Sequence, residues 1–489
     1  MKQTEKPNEN TEQASKAPLS AYLWLAGIFA IVFAVIYIAL ILRVNFLDIP
    51  GGDSVISETA ANSLFALVLV VMLGALYTYT VVSRKELLYS LREAGAIMTV
   101  FALVTTANVF LAYLSPFAMF VSLTALIALP FSKKRDAFIL NIFTCLISSF
   151  SLIDISGRTH LPVIIFTSIA GLLSGAIGAY IFPNGMTRLA SILRSLVTSI
   201  IIVAVYAVLL CTYALDAQPF IDNLVYIGPF AAGHVLLAGI IVPIIESVFN
   251  ITTDSRLVEL TNHKAPLIHR LIVEAPGTFN HSLALANFAE ICANAIGEDP
   301  YLARACAYYH DVGKLNNASY FTENQAGYNP HDDILPEVSA EIIRQHTTDG
   351  YELCKKYHIP EEVARVTIEH HGTLPITYFY NKAQKLTDSD VDMDEYRYHG
   401  EIPTGKIGAI IMICDAAEAA IRAMDNPDGE RVDKFLKKMI DERLRLGQFD
   451  NCSITMKDLN ALREAIVGAY GGLFHKRIKY NNGRGGGND

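Results

Sequence analysis

Between Tyr22 and Phe249 the sequence is a succession of apolar runs, and no other feature restricts the fold so strongly. About 20 consecutive apolar residues suffice for a helix to cross the hydrocarbon core of a bilayer. The first run, Tyr22–Leu42, carries no charge. It is too long for a signal-peptide core and shows no small-residue cleavage site, so it reads as a retained span. Seven further runs follow at about Ser63–Val82, Ala94–Leu114, Phe117–Leu129, Ala137–Ile153, Leu161–Phe182, Ile192–Tyr213 and Leu224–Phe249. The run at Phe117–Leu129 is short and is separated from its neighbour only by Ser115-Pro116, the pattern of a tight hairpin or a re-entrant segment. The expectation is eight spans, with this pair as the weak point.

Loop charges orient the spans, because Lys and Arg collect on the cytoplasmic side. The N-terminal tail carries Lys2, Lys6 and Lys16; later loops carry Arg84, Lys85 and Arg92, then Lys133, Lys134 and Arg135, then Arg188, followed by Arg194. The alternate loops hold only Arg43 and Arg158. The tail and the even-numbered loops are therefore expected in the cytoplasm, and eight spans return the chain there. The result is a multi-pass protein of the bacterial cell membrane with both its N-terminus and its second half inside.

After Thr252 the sequence reads as a charged globular protein, and 11 of the 13 histidines lie beyond residue 250. Membrane comes first and chemistry second. The net charge of −9 argues against a nucleic-acid coat and against a broad anionic-lipid patch. Seven cysteines without a CxxC argue against a thiolate zinc site and against a disulfide framework. Charged residues within the spans are scarce, with His234 in the last span and Glu246 near its inner end, which disfavours an ion-coupled transporter. His234 reads as a packing or inter-helix hydrogen-bonding residue.

The second half is expected to be all-α. Helices are expected over Thr278–Ile296, Asp299–Asp311, Glu337–His346, Glu361–His371, Thr404–Met424, Arg431–Leu446 and Met456–Phe474. Pro276-Gly277, Gly297, Pro330, Pro360, Gly372, Pro403 and Asn426-Pro427 break the pattern between them. The stretch Ile251–Ile272 reads as a juxtamembrane connector whose first part continues the last span as a helix up to Pro266. The acidic segment between Lys382 and Pro403 lacks the spacing and glycine of a calcium loop and reads as solvated. The domains are then a disordered cytoplasmic tail (1–20), a transmembrane anchor (21–44), a short extracellular linker (45–62), a seven-helix membrane domain (63–250), the connector (251–272), a catalytic domain (273–480) and a flexible tail (481–489).

The chemistry centres on His310-Asp311-Val312-Gly313-Lys314. An imidazole and an adjacent carboxylate bind one ion together, and a carboxylate using both oxygens bridges two. The glycine allows a sharp turn; the lysine brings a positive charge to a phosphoryl oxygen. Elsewhere on the helices stand His281, His346, His370, His371 and Asp415. Inward-pointing His and Asp from several helices build dinuclear centres in bundles. A donor set without thiolate suits Fe or Mn. Asp415 is the most telling member, since a carboxylate within an apolar helix requires a partner. Gly372 stops the helix after His370-His371, letting both rings reach one ion.

The order His…His-Asp…His…His-His…Asp resembles that of the HD-domain phosphohydrolases. The words Glu274-Ala275-Pro276-Gly277-Thr278-Phe279-Asn280-His281-Ser282-Leu283, Glu323-Asn324-Gln325, Asn329-Pro330-His331-Asp332 and Tyr378-Phe379-Tyr380, together with the spans, are similar to those of the seven-transmembrane HD family of cyclic-di-AMP phosphodiesterases. That resemblance implies that His281, His310, Asp311 and Asp415 hold one metal. Asp311 would bridge to a second ion held by His346, His370 and His371. It further implies in-line attack on phosphorus, the linear product pApA and Lys314 on a non-bridging oxygen; Tyr378 and Tyr380 are candidates either for stacking on adenine or for structural packing. The implied partners are cyclic-di-AMP and membrane lipids, with no nucleic-acid polymer and with a homodimer compatible.

Two departures stand against the resemblance. Only about Asn45 to Asn62 separates the first two spans, where the family carries a large extracellular domain, and Asn280 replaces a histidine common before His281. The competing readings are an HD hydrolase of cyclic-di-GMP, ppGpp or a dNTP, and a nucleotide receptor without turnover. The cyclic-di-GMP branch would place Gly-Tyr-Pro after the His-His pair, where this chain has Gly372-Thr373-Leu374-Pro375.

Overall fold

A computed structural model describes residues 17–46, 58–152, 161–181, 188–213, 217–387, 390–425 and 427–473. The tail, most of the linker between the first two spans and the glycine-rich end lie outside the described residues. The chain divides into two compact units, Met1–Ser255 and Arg256–Asp489. Every element among the described residues is helical apart from one isolated bridge between Pro375 and Arg397.

The first unit contains α1 (Leu19–Phe46), α2 (Glu58–Ser83), α3 (Leu91–Leu114), α4 (Leu123–Ala128), α5 (Lys134–Phe150), α6 (Leu161–Tyr180), α7 (Arg188–Tyr213) and α8 (Ala217–Phe249). Five of these, α1, α2, α3, α7 and α8, are long and apolar enough to cross a membrane, and shorter apolar helical stretches cover Pro116–Phe131 and Ile164–Tyr180. Exposed Leu67, Val70, Val71, Ile200 and Ile240 suit a hydrocarbon solvent.

The short fourth run is a broken return. Pro116 and Pro130 flank a single helical turn and a half, and residues Val121–Ala128 are all buried against neighbouring helices. Asn108 on α3 satisfies the interruption, accepting from Phe120 N at 2.7 Å and donating to its carbonyl. Polar backbone at this depth is tolerated only where protein covers it.

Loops assigned to one side by their charge do meet. Lys133 Nζ lies 2.9 Å from Glu86, and Arg84 pairs with the buried Asp136, which also accepts from Tyr79. At the same end Arg188 lies 3.6 Å from Glu246, and the Phe249 ring covers Gly95 so closely that a Cβ there would sit 2.9 Å from it. His234 donates its Nδ1–H to Phe230 O of its own helix, 2.8 Å away, and packs its ring on Phe120; it makes no inter-helix hydrogen bond among the described residues.

The connector does not prolong α8. Asn250 has φ +50, the non-helical Ile251-Thr252-Thr253 follows, and the Thr253 hydroxyl donates to Glu246 before α9 (Asp254–Leu260) begins. The β-branched threonines resist helix here, and Asn tolerates the left-handed conformation.

The second unit comprises α9, α10 (Pro266–Glu274), α11 (Pro276–Ile296), α12 (Pro300–Tyr309), α13 (Pro336–Lys356), α14 (Glu361–Ala364), α15 (Val366–Glu369), α16 (Thr377–Leu386), α17 (Lys406–Ala423), α18 (Gly429–Arg445) and α19 (Met456–Leu473). Helix α17 is its axis: Ala409 through Cys414 are at most 1% exposed, so the helix is covered on all sides. Small residues of α11 (Ala286, Ala289, Ala293) and α12 (Ala303, Ala305, Ala307) bring those helices close. Gly297, in the left-handed region, ends α11, and Asp299 caps α12 through the amides of Tyr301 and Leu302.

Three sequence expectations require correction. Helix α13 runs ten residues beyond His346, because Thr347, Gly350 and Cys354 keep one face buried even though the rest is polar. Helix α16 arises where no helix was expected, around buried Phe379 and Ala383. The acidic segment before Pro403 is not merely solvated. Asp390, Asp392, Asp394 and Glu395 do face water, but four backbone hydrogen bonds (Ile376 N to Tyr396 O, Tyr398 N to Leu374 O, Gly400 N to Gly372 O and Glu401 N to Ile368 O) lace its residues 396–401 to residues 368–376.

Candidate metal centre

Five helical segments converge on Asp311. His281 comes from the second turn of α11, His310 and Asp311 from the end of α12, His346 from the middle of α13, His370 and His371 from the end of α15, and Asp415 from the middle of α17. Five of the seven are nearly or fully buried, and the other two, His371 and Asp415, line the same cleft with side chains 21% and 17% exposed. The approach of the His-Asp segment to α13 requires a glycine. A Cβ on Gly313 would fall 1.9 Å from the His346 carbonyl oxygen. The glycine therefore serves close approach, not the sharp turn anticipated, since φ is positive at Gly297, Gly327, Gly372 and Gly447 but not at Gly313.

The two oxygens of Asp311 face different groups. Oδ1 lies 3.4 Å from His346 Nε2 and 3.7 Å from His370 Nε2. Oδ2 lies 3.2 Å from His310 Nε2 and 3.9 Å from His281 Nε2. Around the second oxygen, His281 Nε2 is 3.0 Å from Asp415 Oδ1. Around the first, His346 and His370 approach each other at 3.3 Å between Nε2 atoms, and His371 completes a trio with them. His371 Nδ1 also comes within 3.9 Å of Asp415 Oδ2. Two ligand-like trios, His281-His310-Asp415 and His346-His370-His371, thus flank one carboxylate.

The other ring nitrogens are already engaged. Nδ1 of His310 bonds Ala307 O at 2.8 Å, Nδ1 of His346 bonds Ile343 O at 2.5 Å, and Nδ1 of His370 bonds Val366 O at 3.0 Å. A carbonyl accepts only, so each Nδ1 carries the proton and each Nε2 presents a lone pair inward. His310 Nε2 and Asp311 Oδ1 are buried without a hydrogen-bond partner among the described residues. Buried polar atoms of this kind are costly unless something binds them. A divalent ion on each side of Asp311 fits that donor set, which holds imidazole and carboxylate and no thiolate.

The electrostatics agree. Burial, reinforced by neighbouring histidines, keeps His370 neutral well below the ordinary imidazole range and brings His371 down to about 3. Burial lowers His346 as well. For Asp311, burial opposes ionisation, but His310 and Lys314 outweigh it and hold the carboxyl well below its usual range. His281 moves the other way. Burial disfavours its charged form, yet Asp415 and Glu418 prevail and raise it to about 10.

Several participants escaped the sequence reading. Glu418, one turn after Asp415 on α17, sits 2.5 Å from His281 Nδ1 and orients that ring; a second carboxylate at i+3 on an apolar helix was the available signal. Glu323 binds Lys314 at 2.8 Å while Lys314 binds Asp311 Oδ2 at 2.7 Å, so the lysine is buried between two carboxylates. Tyr398 stacks on His371 with ring centroids 4.2 Å apart. Gln448 accepts from Thr373 N and fills the space beside Gly372. By contrast Tyr378 is exposed on α16, and Tyr380 packs against Tyr396 in a satellite cluster.

Residues 278–420 match the model of the HD domain family. The chain is 38% identical over 315 residues to the cyclic-di-AMP phosphodiesterase PgpH of Listeria monocytogenes, covering 63% of this chain and 43% of that protein. It is 40% identical over 250 residues to PgpH of Bacillus subtilis, covering 51% of this chain and 35% of that one. The chain thus spans less than half the length of these curated relatives. A crystal structure of the L. monocytogenes PgpH HD domain in complex with cyclic-di-AMP is 40% identical, is covered in full, spans 44% of this chain and gives a TM-score of 0.42.

Proposed function

The chain belongs to the HD-domain family and is homologous to the PgpH proteins, and from that premise we propose that it is a membrane-anchored phosphodiesterase that hydrolyses cyclic-di-AMP to pApA. The observation that carries this reading is the division of Asp311 between two histidine trios. His281, His310, Asp311 and Asp415 would hold one ion, and Asp311, His346, His370 and His371 the other. Two divalent ions, Fe or Mn, would supply an activated water and neutralise charge on the phosphoryl oxygens when bound.

The chain's own residues do the remaining work. Asp311 keeps its two oxygens apart, and Lys314 holds one of them from the side of Glu323. The Nδ1 hydrogen bonds of His310, His346 and His370 fix the ring planes and leave Nε2 available. Tyr398 walls the cleft beside His371 and offers an aromatic face at the edge of the centre. The exposed Tyr378 is the candidate for stacking on adenine, whereas Tyr380 packs against Tyr396. The membrane unit anchors the enzyme with its second unit in the cytoplasm, the orientation that the distribution of loop cations favours, and the active form is compatible with a homodimer.

The test is turnover by the full chain in lipid nanodiscs, loaded with Mn or Fe(II), against cyclic-di-AMP, cyclic-di-GMP, ppGpp, dGTP and pApA. The expected result is conversion of cyclic-di-AMP to pApA that chelation abolishes. The double substitution His310→Ala with Asp311→Ala should eliminate it while insertion persists. Preference for another nucleotide would overturn the substrate, and hydrolysis surviving the double substitution would overturn the centre.

A further inference from the structure

Arg443 carries a charge for which the second unit provides no paired counter-ion. It stands in the last turn of α18, partly buried, and its Nε is shielded from solvent without a hydrogen-bond partner. Its Nη1 donates to Met439 O of its own helix at 3.4 Å, a long bond. Among the described residues no carboxylate forms an ion pair with it, whereas Arg270, Arg304 and Arg397 of the same unit each pair with one at 2.8–2.9 Å. A shielded cation without a counter-charge is costly. The carbonyls at the C-terminal end of α18 offset part of that cost, but they carry no net charge.

The backbone sets this residue beside the metal cleft. Gly447, with φ +65, reverses the chain after α18, and Gln448 N returns to Arg443 O at 3.0 Å. The Gln448 side chain then accepts from Thr373 N at 3.1 Å and donates to Thr373 Oγ1 at 2.9 Å. Thr373 lies two residues after His371, so the last turn of α18 is clamped to the segment that carries the His370-His371 pair. Electrostatics point the same way. Burial lowers Arg443 below the ordinary guanidinium range, and the charge of Asp415 is the strongest influence opposing that shift. Asp415 and His371 are the two members of the centre that open to the cleft. Arg443 therefore stands on the side from which a substrate reaches the centre.

We propose that Arg443 binds the phosphate of the cyclic dinucleotide that is not being cut. The inference rests on the hydrolytic reading and deepens it. Cyclic-di-AMP carries two phosphodiesters. The metal centre and Lys314 serve the one under attack, and a second anion drawn into a partly buried cleft needs a cation of its own. Guanidinium offers paired donors to phosphate oxygens, and the Nε–H of Arg443 is unengaged. A contact of this kind is equally strong in substrate and transition state, so it lowers KM without raising kcat.

The test has two arms, both on the full chain in nanodiscs. The first follows hydrolysis by the Mn-loaded protein of cyclic-di-AMP and of bis(p-nitrophenyl) phosphate, which carries a single phosphate. The second measures equilibrium binding of cyclic-di-AMP to the protein held metal-free with chelator. Arg443→Met keeps the apolar stem and removes the charge. It should raise KM for cyclic-di-AMP by about tenfold or more, with kcat changed by less than about twofold and KM for the single-phosphate diester by less than about threefold. It should weaken binding to the metal-free protein by about the same tenfold. Arg443→Lys, which keeps the charge but not the paired donors, should lose less than that, and it reads the same contrast if the methionine variant misfolds. An unchanged KM for cyclic-di-AMP would overturn the proposal. So would a fall in kcat on both substrates with loss of bound metal, which would make Arg443 a support for Asp415 instead. A wild type that binds cyclic-di-AMP without hydrolysing it would overturn the hydrolytic reading alone, and the binding arm would still decide for or against Arg443. A wild type that does neither would overturn both.

Discussion

Glu418 Oε2 lies 2.5 Å from Nδ1 of His281, and the same imidazole presents Nε2 to Asp415 Oδ1 at 3.0 Å. One turn of α17 thus supplies both a candidate metal ligand and the carboxylate that orients a second one. Carboxylates behind ligand histidines set the tautomer and raise ligand basicity. Substituting Glu418→Gln should weaken metal binding by about 10- to 100-fold, with the helical spectrum unchanged. Metal content after dialysis against graded chelator reads this directly; a wild-type affinity would show that Glu418 is only structural.

Gly313 is expected to be intolerant for a reason separate from chemistry. A methyl group there meets the His346 carbonyl at 1.9 Å and Gly350 N at 2.5 Å. Two backbones would have to move apart, so Gly313→Ala should destabilise the protein by about 1–3 kcal/mol and lower metal occupancy with it. Thermal unfolding of the metal-free and metal-loaded forms separates the two effects. An unchanged midpoint would mean that the approach of the two segments is looser than described.

Acid should destabilise the metal-free second unit before its carboxylates titrate. His346, His370 and His371 are held neutral, His371 down to about 3, while the unfolded chain takes protons near 6.5. A depressed folded value means that the unfolded state binds more protons as pH falls below 6.5, so stability falls with it. His281, raised to about 10, contributes fully below 6.5 and loses that contribution progressively as pH rises from there through 10. The ionised Asp311 matters lower, below the ordinary Asp range near 4. Unfolding free energies from denaturant titrations at pH 7.5, 6 and 5 with chelator present should decline by at least ~1 kcal/mol per pH unit below 6.5. A flat profile would contradict neutral histidines in the fold.

Tyr398 offers a test of the cleft wall. Its ring stacks on His371 at 4.2 Å. Tyr398→Phe should retain the stacked face and most activity, whereas Tyr398→Ala should leave His371 less constrained and lower kcat by about tenfold, on the scale of stacking worth ~1 kcal/mol. Equal activity of the two variants would remove the ring from any positioning role.

Hydropathy and ligand chemistry made much of this architecture readable in advance. Long apolar runs need no tertiary information to declare themselves, and the HD family together with the all-helical fold followed from residue type and order. What escaped reading depended on contacts distant in sequence. Tyr398 reaches His371 because hydrogen bonds from residues 398–401 lace one irregular segment to another, which no local periodicity records. Glu418 was overlooked because a carboxylate on a helix ordinarily faces water, and only the position of α11 makes this one buried. Helix α13 continued past its expected end because Gly350, invisible as a helix former, packs against Gly313 and Thr367.

A continuous helix transmits rotation as a drive shaft does, and the phase of the last span would then be felt a turn at a time beyond it. Asn250, with its φ of +50, interrupts that shaft immediately after Phe249. What joins α8 to α9 acts as a strap, able to convey pull and separation but not twist. Residues inserted beside Thr252 would accordingly lengthen the strap by successive small steps, and any dependence of turnover on linker length should be monotonic, without the 3.6-residue recurrence that a rigid rod imposes.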